Sequence, residues 1–164
     1  MNPLTEPQIR AAFVNLTKGE AQRLNVPRDL AQRPWDDLDY LGWRDPQSPA
    51  RGYLVAPIGD RFVGVALRAP ASSVGFSRPS MCSVCLTVRS GGVALMVAPR
   101  AGKAGKQGHS VGTDICADLS CSLYVRGKLQ TGTPGMRETL TLDQRIDRLV
   151  GNLESFVARV TRPS

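Results

Sequence analysis

Met81-Cys82-Ser83-Val84-Cys85 and, further along, Gly112-Thr113-Asp114-Ile115-Cys116-Ala117-Asp118-Leu119-Ser120-Cys121 hold all four cysteines of the chain in two close pairs. Between them lies enough sequence for a hairpin and a return strand. Zn²⁺ has no geometric preference of its own and is satisfied by four thiolates in a tetrahedron, so two short-range pairs brought together by a fold make a closed structural site. The spacing therefore predicts zinc on Cys82, Cys85, Cys116 and Cys121.

Other uses of cysteine account for less. Disulfides need an oxidising compartment, whereas Met1 to Leu24 contain no basic stretch followed by an apolar core and no run approaches the length of a membrane span. The expected location is the cytoplasm, with no membrane association. A redox Cys-x-x-Cys belongs at a strand-to-helix junction, but Leu86-Thr-Val-Arg-Ser-Gly-Gly92 reads as strand then turn. Redox chemistry would also leave the second pair unexplained; buried free thiols or a redox pair are the alternatives to zinc. The single histidine, His109, lies in a polar Gly/Lys loop outside both pairs and reads as an exposed residue.

The 164 residues carry a formal charge of +7. Four metal-bound thiolates and one zinc would reduce this to about +5. The surplus is local: residues 77–132 hold seven Lys/Arg against two Asp/Glu, while residues 1–45 hold six against seven. Part of this charge balances an anionic zinc-thiolate cluster. The remainder favours acidic partners, either nucleic acid or an acidic protein surface.

Capping boxes at Thr5-Glu6-Pro7-Gln8 and Thr17-Lys18-Gly19-Glu20 predict two short N-terminal helices. The first presents Ile9, Phe13 and Leu16, and the second stops near Leu24 ahead of Asn25 and Pro27. In Trp35-Asp-Asp-Leu-Asp-Tyr-Leu-Gly-Trp-Arg44 the carboxylates of Asp36, Asp37 and Asp39 are expected to cap turns and face solvent, with the tryptophans packed on a sheet. Tyr53–Ala56 and Phe62–Leu67 form a hairpin around Gly59-Asp60. Residues 69–78 read as a linker. A second hairpin pairs Leu86–Val88 with Val93–Val97 around Ser90-Gly91-Gly92, residues 100–109 form a flexible basic loop, and Val111–Ile115 is a strand delivering Cys116. Cys121 falls in the first turn of a helix, whose positive end stabilises thiolates. A third capping box, Thr141-Leu-Asp-Gln144, opens a long amphipathic helix with Ile146, Leu149, Val150, Leu153, Phe156, Val157 and Val160 on one face. The fold class is α+β, an antiparallel sheet with a four-cysteine zinc finger. Residues 1–45 are expected as a helical segment packed on a main domain of residues 46–164, with the metal region at 78–130.

Catalytic patterns are missing. Gly102-Lys-Ala-Gly-Lys-Gln107 fails as a phosphate loop, since four residues do not separate the glycines and Gln107 stands where Ser or Thr is required. Asn15-Leu16-Thr17 fits a glycosylation pattern only by chance. One distant His109 provides no base for a cysteine nucleophile, so neither an enzyme activity nor a small-molecule substrate is expected.

Met81–Cys85 together with Gly112–Asp118 and Cys121 is similar to the treble-clef zinc domain of FusB-type elongation factor G-binding proteins, best over residues 78–130. Members of that family place a helical domain before the zinc domain and bind the C-terminal part of elongation factor G. They help it leave ribosomes on which fusidic acid has trapped it. The resemblance implies zinc on the four cysteines and elongation factor G as partner. The N-terminal region here is shorter than the family's helical domain, so binding is implied ahead of drug protection. On this reading the chain is an adaptor docking through Arg100, Lys103, Lys106, Arg126 and Lys128, with Tyr124 as aromatic anchor. The competing reading is a module that puts the same basic loop on ribosomal RNA, where affinity would fall steeply with salt.

Overall fold

The computed structural model describes residues 1–69, 78–132, 134 and 137–163. Helices α1 (Glu6–Ala12) and α2 (Lys18–Arg23) start at Thr5 and Thr17, each closed by a reciprocal capping box. Two short helical turns, Leu30–Gln32 and Trp35–Asp37, lead to strand β1 (Leu41–Asp45). The long strand β2 (Ser48–Ile58) turns at Gly59-Asp60 into β3 (Arg61–Arg68). Strands β4 (Pro79–Met81), β5 (Val88–Ser90), β6 (Val93–Pro99) and β7 (Ser110–Cys116) follow, with α3 (Gly102–Lys106) between β6 and β7. Helix α4 (Cys121–Val125) and the long α5 (Leu142–Thr161), capped by Thr141 and Gln144, close the chain.

Five strands make one antiparallel sheet in the order β1-β2-β3-β6-β7, and β4 with β5 forms a separate two-stranded ribbon. Alternation along the central strands divides the apolar side chains between the two faces of the sheet. Leu54, Ala56, Val65, Leu67, Met96 and Ile115 join a core with the four cysteines and with Leu149, Leu153, Phe156, Val157 and Val160 of α5. Leu41, Trp43, Tyr53 and Val55 join a second core with Ile9, Ala12, Ala21, Leu24 and Trp35. The result is three layers: the N-terminal helices, the sheet, and α5 beside the cysteine cluster.

Several expectations need correction. The acidic aromatic stretch is more than turns, because its second half is edge strand β1, paired to β2 from Leu41↔Val55 to Trp43↔Tyr53. Asp39 does not face solvent: its carboxylate accepts two bonds from Arg126, at 2.7 and 2.9 Å. The hairpin expected between Leu86–Val88 and Val93–Val97 is not formed. Instead β5 pairs back to β4, and β6 pairs with β7 along its length. The basic loop contains α3, which Gly105 makes possible; a Cβ there would sit 1.8 Å from the Arg100 carbonyl oxygen. The linker expected over 69–78 lies, for residues 70–77, outside the described residues.

Asn15 is spent internally. Its side-chain amide donates to the carbonyls of Ala66 and Pro99, both at 3.0 Å, and its Oδ1 accepts from the Ala66 amide at 2.8 Å. It bridges β3 and β6, whose ladder is reduced to the pair Arg68↔Val97.

Candidate metal centre

Cys82 and Cys85 occupy the turn of the β4–β5 ribbon itself. Backbone amides of Val84 and Cys85 each point at the Cys82 sulphur from 3.4 Å, and the Leu86 amide donates to the Cys82 carbonyl at 2.9 Å. Donors converging on one sulphur favour its thiolate. The Ser83 amide donates to the Asp114 carbonyl on β7 at 2.7 Å, which fixes the ribbon against the strand delivering Cys116. Cys116 ends β7 and Cys121 begins α4, with a tight turn between them closed by Leu119 N–H donating to the Cys116 carbonyl at 2.8 Å.

The four Sγ atoms lie within 4.8 Å of one another, and all four cysteines are buried. The Cys82–Cys121 and Cys85–Cys116 sulphur separations are 3.7 and 3.6 Å. A tetrahedron with Zn–S bonds of about 2.3 Å has edges of about 3.8 Å, whereas a disulfide needs about 2.05 Å. The sulphurs are thus set for a common ion and not for pairwise oxidation. Their protonation agrees. Hydrogen bonds from the Cys116 and Cys121 thiols hold Cys82 and Cys85 below the ordinary thiol range. Burial pushes Cys121 up, and Cys116, although it accepts from Cys121, is raised by the sulphurs of Cys82 and Cys85. Four buried sulphurs cannot all ionise beside one another without a cation, and a bound dication removes that conflict. Burial, reinforced by the sulphurs of Cys121, Cys116 and Cys82, raises Tyr40 far above its usual value, so a neutral phenol flanks the site.

Leu86 and Leu119 take positive φ angles of 56° and 57°. One follows the first cysteine pair and the other lies inside the second, so each ligand turn contains a left-handed residue that is not glycine. The turn at 116–121 is braced from outside. The Tyr124 hydroxyl donates to Asp118 Oδ2 at 2.6 Å, Asp118 Oδ1 accepts from the Ser120 amide at 3.2 Å, and the Arg89 guanidinium lies 4.1 Å from the Tyr124 ring centroid. Strand β1 meets the same turn at Gly42, where a Cβ would lie 2.7 Å from both the Cβ and the carbonyl oxygen of Leu119. None of these supports carries a spacing motif. A glycine in a strand between Tyr40 and Trp43 is the one available hint of close backbone approach.

The residues expected at a partner surface sit in different local settings. Tyr124 is buried with its hydroxyl engaged, and Arg126 is paired to Asp39. Arg100 donates to the Arg162 carbonyl at 2.6 Å. Lys103 and Lys106 are exposed on α3, and Lys128 is exposed 3.8 Å from Asp37. His109 is exposed and outside the sulphur cluster, as its sequence context indicated.

An α+β fold clamping a closed four-cysteine centre between a two-stranded ribbon and a helix start defines a structural zinc-finger protein. The family model described as the FBP C-terminal treble-clef zinc-finger matches residues 8–160, and the chain belongs to that family. No curated protein and no solved structure matches the chain. Among the described residues, no helix is long and apolar enough to cross a membrane.

Proposed function

We propose that the protein is a non-enzymatic, zinc-stabilised adaptor that binds translation elongation factor G in the cytoplasm and promotes its departure from the ribosome. The observation that carries this reading is the family match over residues 8–160, nearly the whole chain, centred on a site whose four protein ligands close the tetrahedron. A closed site has no open position for a water or substrate, which favours a structural over a catalytic metal. The adaptor acts by population shift. If it binds more tightly to the off-ribosome conformation of the factor, it moves the equilibrium toward release by that difference in affinity, without chemistry. Exposed Lys103, Lys106 and Lys128 would speed encounter, while Tyr124 and Arg126 hold the fold that presents them.

Calorimetric titration of the zinc-loaded protein into elongation factor G from the source organism, at two salt concentrations, tests the proposal. The expected result is a dissociation constant of about 1 μM or tighter with modest salt sensitivity. Absence of heat at both salts, with zinc content and fold intact, would refute it.

A further inference from the structure

Beside the Asn15 bridge, where β3 and β6 separate, a cleft of about 470 Å³ opens among α2, α3 and the ends of β2 and β3. Its apolar lining includes the half-buried Val14, Leu16 and Ala66, and its walls carry Arg51, Arg68, Arg100 and Lys106. Arg51 and Arg68 are direct partners in the antiparallel ladder, so their side chains leave the same face of the sheet at neighbouring positions. Like charges in that relation destabilise a sheet. Among the described residues, none of the four cations forms an ion pair. Arg100, which donates to the Arg162 carbonyl, keeps its Nε buried and without a hydrogen-bond partner among the described residues. The one carboxylate among the described lining residues, Glu20, holds the amide and hydroxyl of Thr17 on its Oε2 at 2.8 Å each, and its charge, shared between Arg23 and Arg68, offsets only part of the surplus. Four cations against one carboxylate around an apolar lining, two of the cations placed against each other, leave the cleft with a surplus of positive charge.

We propose that this cleft docks an acidic segment of a protein partner, in which an apolar side chain sits on the apolar lining and flanking Asp or Glu residues pair with Arg51, Arg68 and Lys106. The proposal deepens the adaptor reading and rests on it for the choice of protein over RNA. The lining supports that choice: among the described residues its single aromatic, Tyr53, is 4% exposed and offers no platform on which a base could stack.

Arg51 and Arg68 are both exposed, so Arg51→Ala/Arg68→Ala changes the site without emptying the core. A labelled dodecapeptide alternating Glu and Leu, and an oligo-uridine of equal length, are titrated by fluorescence anisotropy against wild type, this double variant, and a charge-matched control, Arg28→Ala/Arg61→Ala. The peptide is expected to bind wild type and control alike and to lose about tenfold or more in affinity on the double variant. The same variant should melt no lower than wild type, because it removes a like-charge pair. Equal loss in the control, or binding of the uridine oligomer with none of the peptide, overturns the proposal. Peptide binding that depends on Arg51 and Arg68, in a protein giving no heat with elongation factor G, would leave the cleft standing and refute the adaptor reading alone.

Discussion

At the scale of single residues, the metal site is a set of backbone conformations that the ligands hold in place. A left-handed conformation costs an ordinary residue about 1–2 kcal/mol, and Leu86 and Leu119 both adopt it within the ligand turns. The sulphur cluster supplies the compensating interaction, since structural zinc contributes about 10–16 kcal/mol of apparent binding energy in small fingers. That is comparable to the whole stability of a typical domain, about 5–15 kcal/mol. Cys82→Ser is accordingly expected to lose stoichiometric zinc and its cooperative thermal transition, measured by metal analysis and circular dichroism on the same sample. A metal-free Cys82→Ser protein melting like wild type would contradict a structural role. The four ligands were legible because pair spacing is a local property and zinc chemistry restricts what such spacing can mean. Sequence alone leaves Tyr124 open between an aromatic anchor and an interior packing role, because its partner, Asp118, comes within reach only when the turn at 116–121 meets α4.

Between elements, the strongest unread contact is the bidentate pair of Arg126, just beyond α4, with Asp39, just before β1. Their side chains are 13% and 9% exposed, and hydrogen bonding to Asp39 raises the Arg126 pKa. Removing one member of a buried pair leaves the other charge uncompensated, at a cost of about 3–5 kcal/mol. Asp39→Ala should therefore lower stability by several kcal/mol in urea unfolding, while Asp36→Ala, at an exposed position of the same acidic run, should stay within about 0.5 kcal/mol of wild type. Equal effects of the two would show that the pair contributes nothing. Sequence placed the starts of the capped helices correctly because Thr5, Thr17 and Thr141 each meet their partner three residues later, whereas Phe13 and Leu16, expected on the first helix, lie beyond its end at Ala12. It mispaired β5 because strand partnership is not local: Val88–Ser90 had an equally plausible neighbour in β6, and the knuckle between Cys82 and Cys85 folds it onto β4 instead.

Across the whole molecule, the two cores are opposite faces of one sheet, and the zinc cluster belongs to only one of them. Leu54 and Val65 face α5 and the cysteines, while Tyr53 and Val55 face the N-terminal helices. Both faces are carried by the same strand ladders, so loss of the ladders removes both cores and the faces should unfold together. The turn carrying Leu119 also touches β1 directly at Gly42, next to Trp43. Both tryptophans of the chain, Trp35 and Trp43, lie in the N-terminal core, buried at 8% and 5% exposure, and their indole N–H groups donate to the carbonyls of Leu30 and Asn25. Tryptophan emission thus reports on the face remote from zinc. Withdrawal of zinc by a strong chelator is expected to shift that emission to the red over the same chelator range in which metal is released, with one midpoint for both signals. Unchanged emission from metal-free protein would mean that residues 1–45 keep their packing independently of the centre. A shared midpoint would instead make the zinc site the keystone of both cores, because β2, β3, the Gly42–Leu119 contact and the Asp39 links to Arg126 and Ser122 all join the cysteine side to the tryptophan side.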